Sequence, residues 1–231
     1  MENVKLYEDS ITSLTGAKWS ARPVENREVM KLMQKYDISE LTARILLGRN
    51  VKHEVILEHI NPTLRYFLPN PYDLLDMDKA VELILSAIQG DKKIMILGDY
   101  DVDGATSTAL ILRYFDNIGY SNVEYYIPDR NKDGYGPTVN LMNKFKAEAV
   151  DLLITVDCGT VAFEAFSLSK QLDIKTIVID HHQSGSQLPS IDALVNPNRF
   201  DQPPSSLSTC AAVGISFMLL VALQSYLDKH G

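Results

Sequence analysis

The segment Gly98-Asp99-Tyr100-Asp101-Val102-Asp103-Gly104 sets three carboxylates at alternate positions between two glycines. Hard divalent cations take several oxygen ligands, and a loop leaving a strand can aim alternate side chains at one point. The spacing also matches the first half of a calcium-binding EF-hand loop. Counted from Asp99, however, position twelve is Leu110, where that loop requires a bidentate Glu. The preceding segment also reads as a strand rather than a helix, so the EF-hand reading fails.

Two further groups carry the same chemistry. Asp157 follows the apolar run Leu152-Leu153-Ile154-Thr155-Val156 and precedes Cys158-Gly159. An acid at the carboxyl end of a buried strand is well placed to bridge two cations. Asp180-His181-His182 ends the next such run, Thr176-Ile177-Val178-Ile179. Imidazole suits Mn, Fe and Zn, whereas Mg prefers oxygen, so one His among several Asp leans towards Mn²⁺, with Mg²⁺ as the alternative. Adjacent side chains of an extended segment point to opposite sides. One histidine is then a ligand, while the other contacts phosphate or protonates a leaving group. Each acid also has an ordinary alternative: Asp103 as N-cap of a helix over Ala105–Phe115, Asp99 as a solvated turn residue, Asp157 as a turn or capping acid.

Phosphate contacts have four candidates. Thr106 and Ser107 stand at a helix start whose free N–H groups can receive a phosphate oxygen. Arg130, in the polar loop that runs to Asp133-Gly134-Tyr135-Gly136, offers a bidentate clamp or a surface salt bridge. Arg199, in Asn196-Pro197-Asn198-Arg199, offers the same pair of roles. His53, His59, His230 and Trp19 show no partner pattern and are assigned to surface or core. Neither GxxxxGK[ST] nor GxSxG occurs, which argues against nucleotide-driven motion and serine hydrolysis.

These side chains need elements to position them. Apolar spacing predicts helices over Arg27–Tyr36, Leu41–Leu47 and Glu54–Ile60, then a Pro-rich connector over Pro62–Pro71. Beyond it the pattern alternates. Helix Met77–Gln89 precedes strand Lys93–Leu97, and helix Ala105–Phe115 precedes strand Val123–Ile127. Helix Thr138–Lys146, strand Asp151–Val156, helix Ala162–Gln171 and strand Lys175–Ile179 follow. A short strand, Ala193–Val195, and a helix over Thr209–Leu227 close the series. Alternation of this kind predicts an α/β fold with a parallel sheet and crossover helices. The domains expected are 1–75, a helical segment with connector, and 76–231, carrying the chemistry. In open parallel sheets ligands bind beyond the carboxyl ends of the strands. Each main strand ends in one of the polar signatures, so all four loops should share one edge.

Composition bounds the rest. In 231 residues, 45% are apolar and 23% charged, an ordinary globular balance. The net charge of −8 argues against a surface that coats nucleic acid non-specifically, although bound metal would neutralise the acidic loops. Cys158 and Cys210 form no CxxC and read as reduced core thiols. No secretory signal is visible after Met1, and the longest apolar run, Ala211–Leu223, is too short for a bilayer. A cytoplasmic location without membrane contact is the expectation.

The ordered set GDYDVDGATSTA, IPDRNKDGYG, TVDCG, IDHH and VNPNR resembles the DHH phosphoesterase superfamily, and more narrowly its RecJ-type single-strand-specific 5′→3′ DNA exonucleases. The likeness extends from NPTLRYFLPNPYDLLDMDKA to the CAAVGISF helix. It implies two divalent cations, Mn²⁺ or Mg²⁺, held by Asp101, Asp103, Asp157 and His181, with Asp99 as a further candidate. It implies His182 near the scissile phosphate, Asp157 shared in catalysis and Asp180 in support. Single-stranded DNA, repair and recombination are the implied substrate and setting. Such proteins run to more than twice this length, adding a further metal-ligating Asp, a DHHA1 domain and an OB-fold. This chain therefore resembles an N-terminal piece whose activity alone is weak or absent. The other readings are a DHH phosphodiesterase for short oligonucleotides or cyclic dinucleotides, and a non-catalytic module.

Overall fold

Val29, Leu32, Ala43, Leu46 and Ile56 recur at helical spacing and meet in one small core. The computed structural model describes residues 11–19 and 22–230. The chain divides into two compact units, residues 1–68 and 69–231. The expectation drawn from Met1–Lys5 lies outside the described residues, as do the side chains of Trp19 and His230.

In the first unit, β1 (Ile11–Thr12) and β2 (Lys18–Trp19) form an antiparallel pair that no sequence pattern announces, because two-residue strands have no periodicity. Helices α1 (Asn26–Tyr36), α2 (Glu40–Gly48), α3 (Ile56–Ile60) and α4 (Leu64–Phe67) follow. Ser39 caps α2 by accepting the Thr42 N–H at 3.1 Å. The helix expected over Glu54–Ile60 begins instead with a 3₁₀ turn, His53–Val55. The expected connector contains α4, which stops where Pro69 holds Leu68 extended.

The second unit begins with α5 (Met77–Gln89) and continues β3 (Ile94–Gly98), α6 (Val102–Asn117), β4 (Val123–Tyr126), α7 (Val139–Ala147), β5 (Leu152–Val156), α8 (Phe163–Gln171), β6 (Lys175–Ile179), β7 (Ala193–Val195) and α9 (Ala212–His230). The five strands are all parallel, in the order β4-β3-β5-β6-β7. This is the α/β sheet with crossover helices that the sequence predicts. β3 and β5 are buried along their whole length, as expected when helices cover both faces. One face packs α7 and α8 through Leu141, Met142, Phe145, Ala165 and Phe166. Helix α6 packs on β3, β4 and β5, α5 on β5 and β7 and α9 on β6, and α9 also packs on α5 and α6.

Helix α9 is long and apolar enough, by length and composition, to span a bilayer over Ala212–Lys229, with a mean hydropathy of 1.2. Its apolarity has a local cause: Ala212, Ile215, Leu219, Ala222 and Leu223 are all fully buried within the unit.

Candidate metal centre

Strand register builds the site. Gly98 pairs with Val156, Val156 with Ile179 and Ile179 with Val195, so these strands end at one level. The ladder continues one residue further: the N–H groups of Asp99, Asp157 and Asp180 donate to the carbonyls of Val156, Ile179 and Val195. Asp99, Asp157, Asp180 and Asn196 therefore stand in a row across neighbouring strands, and all four are buried. The chain leaves β3 for β4 on one side and returns to β5 on the other. The row thus crosses the switch point where parallel sheets open a crevice.

Close backbone approach brings the first acidic loop in. A Cβ on Gly104 would lie 2.4 Å from the Asp99 carbonyl oxygen, and one on Gly98 would lie 2.2 Å from Thr108 Oγ1. Only glycine allows α6 to press this tightly on the strand end. The helix starts at Val102, three residues before the expected Ala105, because Asp101 rather than Asp103 is its N-cap. Asp101 Oδ1 accepts the N–H groups of Asp103 and Gly104 at 2.9 and 3.0 Å. Those donors hold the Asp101 carboxyl below its ordinary range, and they are no longer free for a phosphate.

Asp157 is the focus of the arrangement. Its backbone lies in the left-handed region, φ 63°, an uncommon state for a residue with a side chain. Both carboxylate oxygens are buried without a hydrogen-bond donor. Burial, followed by the nearby Asp101 and Asp103, pushes its carboxyl up to about 8. As charged groups Asp101 and Asp157 repel; only a shared proton or a cation lets them coexist. Two donor groups meet here, Asp99–Asp101–Asp157 and Asp157–His181–His182, each with ligand atoms within 4.8 Å of one another. Both contain Asp157. Orphaned buried carboxylate oxygens in a mixed oxygen and imidazole set fit a pair of divalent cations.

The histidines are aimed from behind. His181 Nδ1 lies 3.1 Å from the Cys210 carbonyl, so Nδ1 carries the hydrogen and Nε2 presents its lone pair. That Nε2 is 3.3 Å from Asp157 Oδ1 and 3.7 Å from Asp103 Oδ2. His182 Nδ1 lies 2.7 Å from Asp180 Oδ1, and this bond raises the ring to about 9. Burial alone would raise Asp180. The His182 ring, the Thr160 hydroxyl and the N–H groups of Thr160, His181 and His182 outweigh it and hold the carboxyl at about 2. The expectation that the two rings diverge is corrected: the segment turns instead of staying extended, and both rings face Asp157.

The other candidates separate. Asp103 sits beside the centre but in neither three-residue group; its oxygens accept the Ala212 and Val213 N–H groups at 3.0 Å each, capping α9. Asp99 joins the first group, with burial raising its carboxyl. Arg130 stands at the rim, its guanidinium 5.4 Å from the Tyr100 ring, and forms no ion pair among the described residues. Thr106 turns its hydroxyl back to the Val102 carbonyl at 2.7 Å. Ser107 is fully buried, which takes it away from any phosphate at the surface. Arg199 is also withdrawn. Its guanidinium is shared among Asp76 at 2.7 Å, Asp201 at 2.7 and 3.0 Å and the Leu194 carbonyl at 2.6 Å. Thr160, Asn196 and the Cys210 carbonyl were not anticipated as supports. Only Asn196 gave a signal, as a polar residue directly after an apolar strand.

With this geometry in place, the profile of the DHH family, N-terminal domain, matches residues 93–230. The chain belongs to the DHH family. It is 35% identical to the single-stranded-DNA-specific exonuclease RecJ of Escherichia coli (strain K12) over 197 residues, 84% of this chain and 33% of that protein. A crystal structure of exonuclease RecJ bound to manganese aligns with a TM-score of 0.61 at 32% identity, over 67% of this chain and 38% of that one. RecJ of Thermus thermophilus in complex with Mn²⁺ aligns with a TM-score of 0.70 at 27% identity, over 89% and 28%. The chain thus spans about a third of the length of the DHH-family relative from E. coli.

Proposed function

We propose that this chain is the metal-binding part of a RecJ-type exonuclease core that hydrolyses phosphodiester bonds of single-stranded DNA from the 5′ end. The observation that carries the reading is Asp157: a buried carboxylate without donors, common to two donor groups. The single-stranded-DNA-specific exonuclease activity of the relative from E. coli and the manganese in two RecJ structures support it. In this reading Asp99, Asp101 and Asp157 would hold one divalent cation and Asp157 and His181 the other, with Asp103 adjoining and His182 left for the phosphate. Such a pair, Mn²⁺ or Mg²⁺, supplies activation of water and charge neutralisation at a phosphodiester.

The chain's own residues prepare the rest. Asp157 gives up its proton on loading, since a ligand carboxylate must be ionised. His182, held at Nδ1 by Asp180, carries a proton on Nε2 at neutral pH and can deliver it to a leaving oxygen. Arg130 is free to meet a phosphate at the rim. The domain boundary near residue 75, a cytoplasmic setting and a role in repair and recombination belong to the same proposal. So does a need for the DNA-gripping parts of a longer polypeptide. Calorimetry tests the centre: two Mn²⁺ per chain are expected, and both should be lost in Asp157→Ala. Wild-type binding no stronger than that of the variant would remove the reading.

A further inference from the structure

The Asn-Pro-Asn segment that leads from β7 to Arg199 has a task of its own. Asn196 is fully buried. Its Nδ2 donates to Thr160 Oγ1 and to the His182 carbonyl, both at 2.8 Å. Its Oδ1 accepts the Asn198 N–H at 2.7 Å, which fixes the orientation of the amide. Asn198 Nδ2 donates to the carbonyls of His181 at 2.6 Å and Ser208 at 3.1 Å. Two carbonyl acceptors require an NH₂ group there. Each asparagine therefore grips the backbone of one histidine, with the stiff Pro197 between the two grips.

Asn196 also acts at a distance. A threonine hydroxyl has one proton. Because Thr160 Oγ1 accepts from Asn196, its proton is directed to Asp180 Oδ2, 2.6 Å away. The Thr160 N–H adds a second bond to the same oxygen at 3.0 Å. The other oxygen of Asp180 is thereby presented to the His182 ring.

We propose that Asn196 and Asn198 are positioning residues: together they clamp the two-histidine turn, and Asn196, through Thr160 and Asp180, fixes the His182 ring. The consequence for metal binding rests on the function proposed above, whereas the clamp itself is a property of the metal-free chain. Asn196→Asp keeps the side chain's shape and replaces both donors with an acceptor. In long-range ¹H–¹⁵N spectra of the metal-free 231-residue chain, the His182 Nδ1 signal should shift and its proton exchange faster with water. The Mn²⁺ dissociation constant should rise about tenfold or more. Asn198→Asp should weaken Mn²⁺ while moving the His182 ring signals less.

An unchanged His182 ring in Asn196→Asp, with Mn²⁺ affinity within about twofold of wild type, would overturn the clamp. Should Asn196→Asp fail to fold, Thr160→Val and Thr160→Ser carry the same test. The valine variant should lose the Nδ1 signature and the serine variant keep it; identical spectra would overturn the proposal. A wild-type chain that binds no Mn²⁺ would refute the metal reading, and the ring spectra would still decide the clamp.

Discussion

Asp157 and Asp180 occupy neighbouring strand ends, and each is 1% exposed, yet they titrate in opposite directions. Asp180 receives five donors and is held at about 2. Asp157 receives none and is pushed up to about 8. Burial is common to both; the donors lower Asp180, whereas Asp157 has no donor and faces the like charges of Asp101 and Asp103. The fold has supplied everything Asp180 needs and has left Asp157 dependent on something from solution. A scaffold acid and a ligand acid are distinguishable on that basis before any ion is added.

Removing the scaffold acid should have the largest effect. Asp180→Asn leaves the His182 ring and the Thr160 hydroxyl without their charged partner, and should cost roughly 3–5 kcal/mol in denaturant unfolding. A loss under about 1 kcal/mol would show that the five donors are satisfied in other ways. Asp157→Asn should do the reverse in metal-free protein, raising stability at pH 8 and above by on the order of 1–2 kcal/mol. The carboxyl is raised in the folded state, so the metal-free wild type should gain stability as pH falls from about 8 towards the ordinary carboxylate range. The asparagine variant should lack that gain, and the two pH–stability curves measured together provide the check.

The Asp180–His182 pair should shape both ends of the same curve. Asp180 is lowered, so its contribution is present above the ordinary carboxylate range and lost as pH falls through about 2. His182 is raised, so its contribution is complete below about 6.5 and lost as pH rises through about 9. The His182 side chain is 51% exposed, so solvent screening should keep this alkaline limb below about 1 kcal/mol. His182→Gln should flatten it. A limb that survives the substitution would assign it to another group.

The sheet was legible in the sequence because β3, β5 and β6 are nearly continuous apolar runs, each closed by a polar signature. The gathering of Asp99, Asp101, Asp157, His181 and His182 follows from that pattern together with parallel topology. The start of α6 was misplaced because two acids compete for one cap. The rule that favours Asp as an N-cap cannot tell that Asp103 caps a different helix, 109 positions later. Of the two roles open to Arg199, the sequence could not single out the ion pair. Its partner Asp76 lies 123 positions away, and no local spacing reveals such a pairing. Among the supports of the histidine turn, Thr160 and the Cys210 carbonyl left no mark in the sequence, and Asn196 left only its place after an apolar strand.

The cap on α9 has a consequence for the order of assembly. Cys210, whose carbonyl steadies His181, and the Ala212 and Val213 amides that receive Asp103 all follow the centre's own side chains in sequence. A nascent chain that already contains every acid and imidazole of the centre still has no fixed His181 and no settled Asp103. The last supports of the pocket therefore lie in and just before α9, beyond the final strand of the sheet.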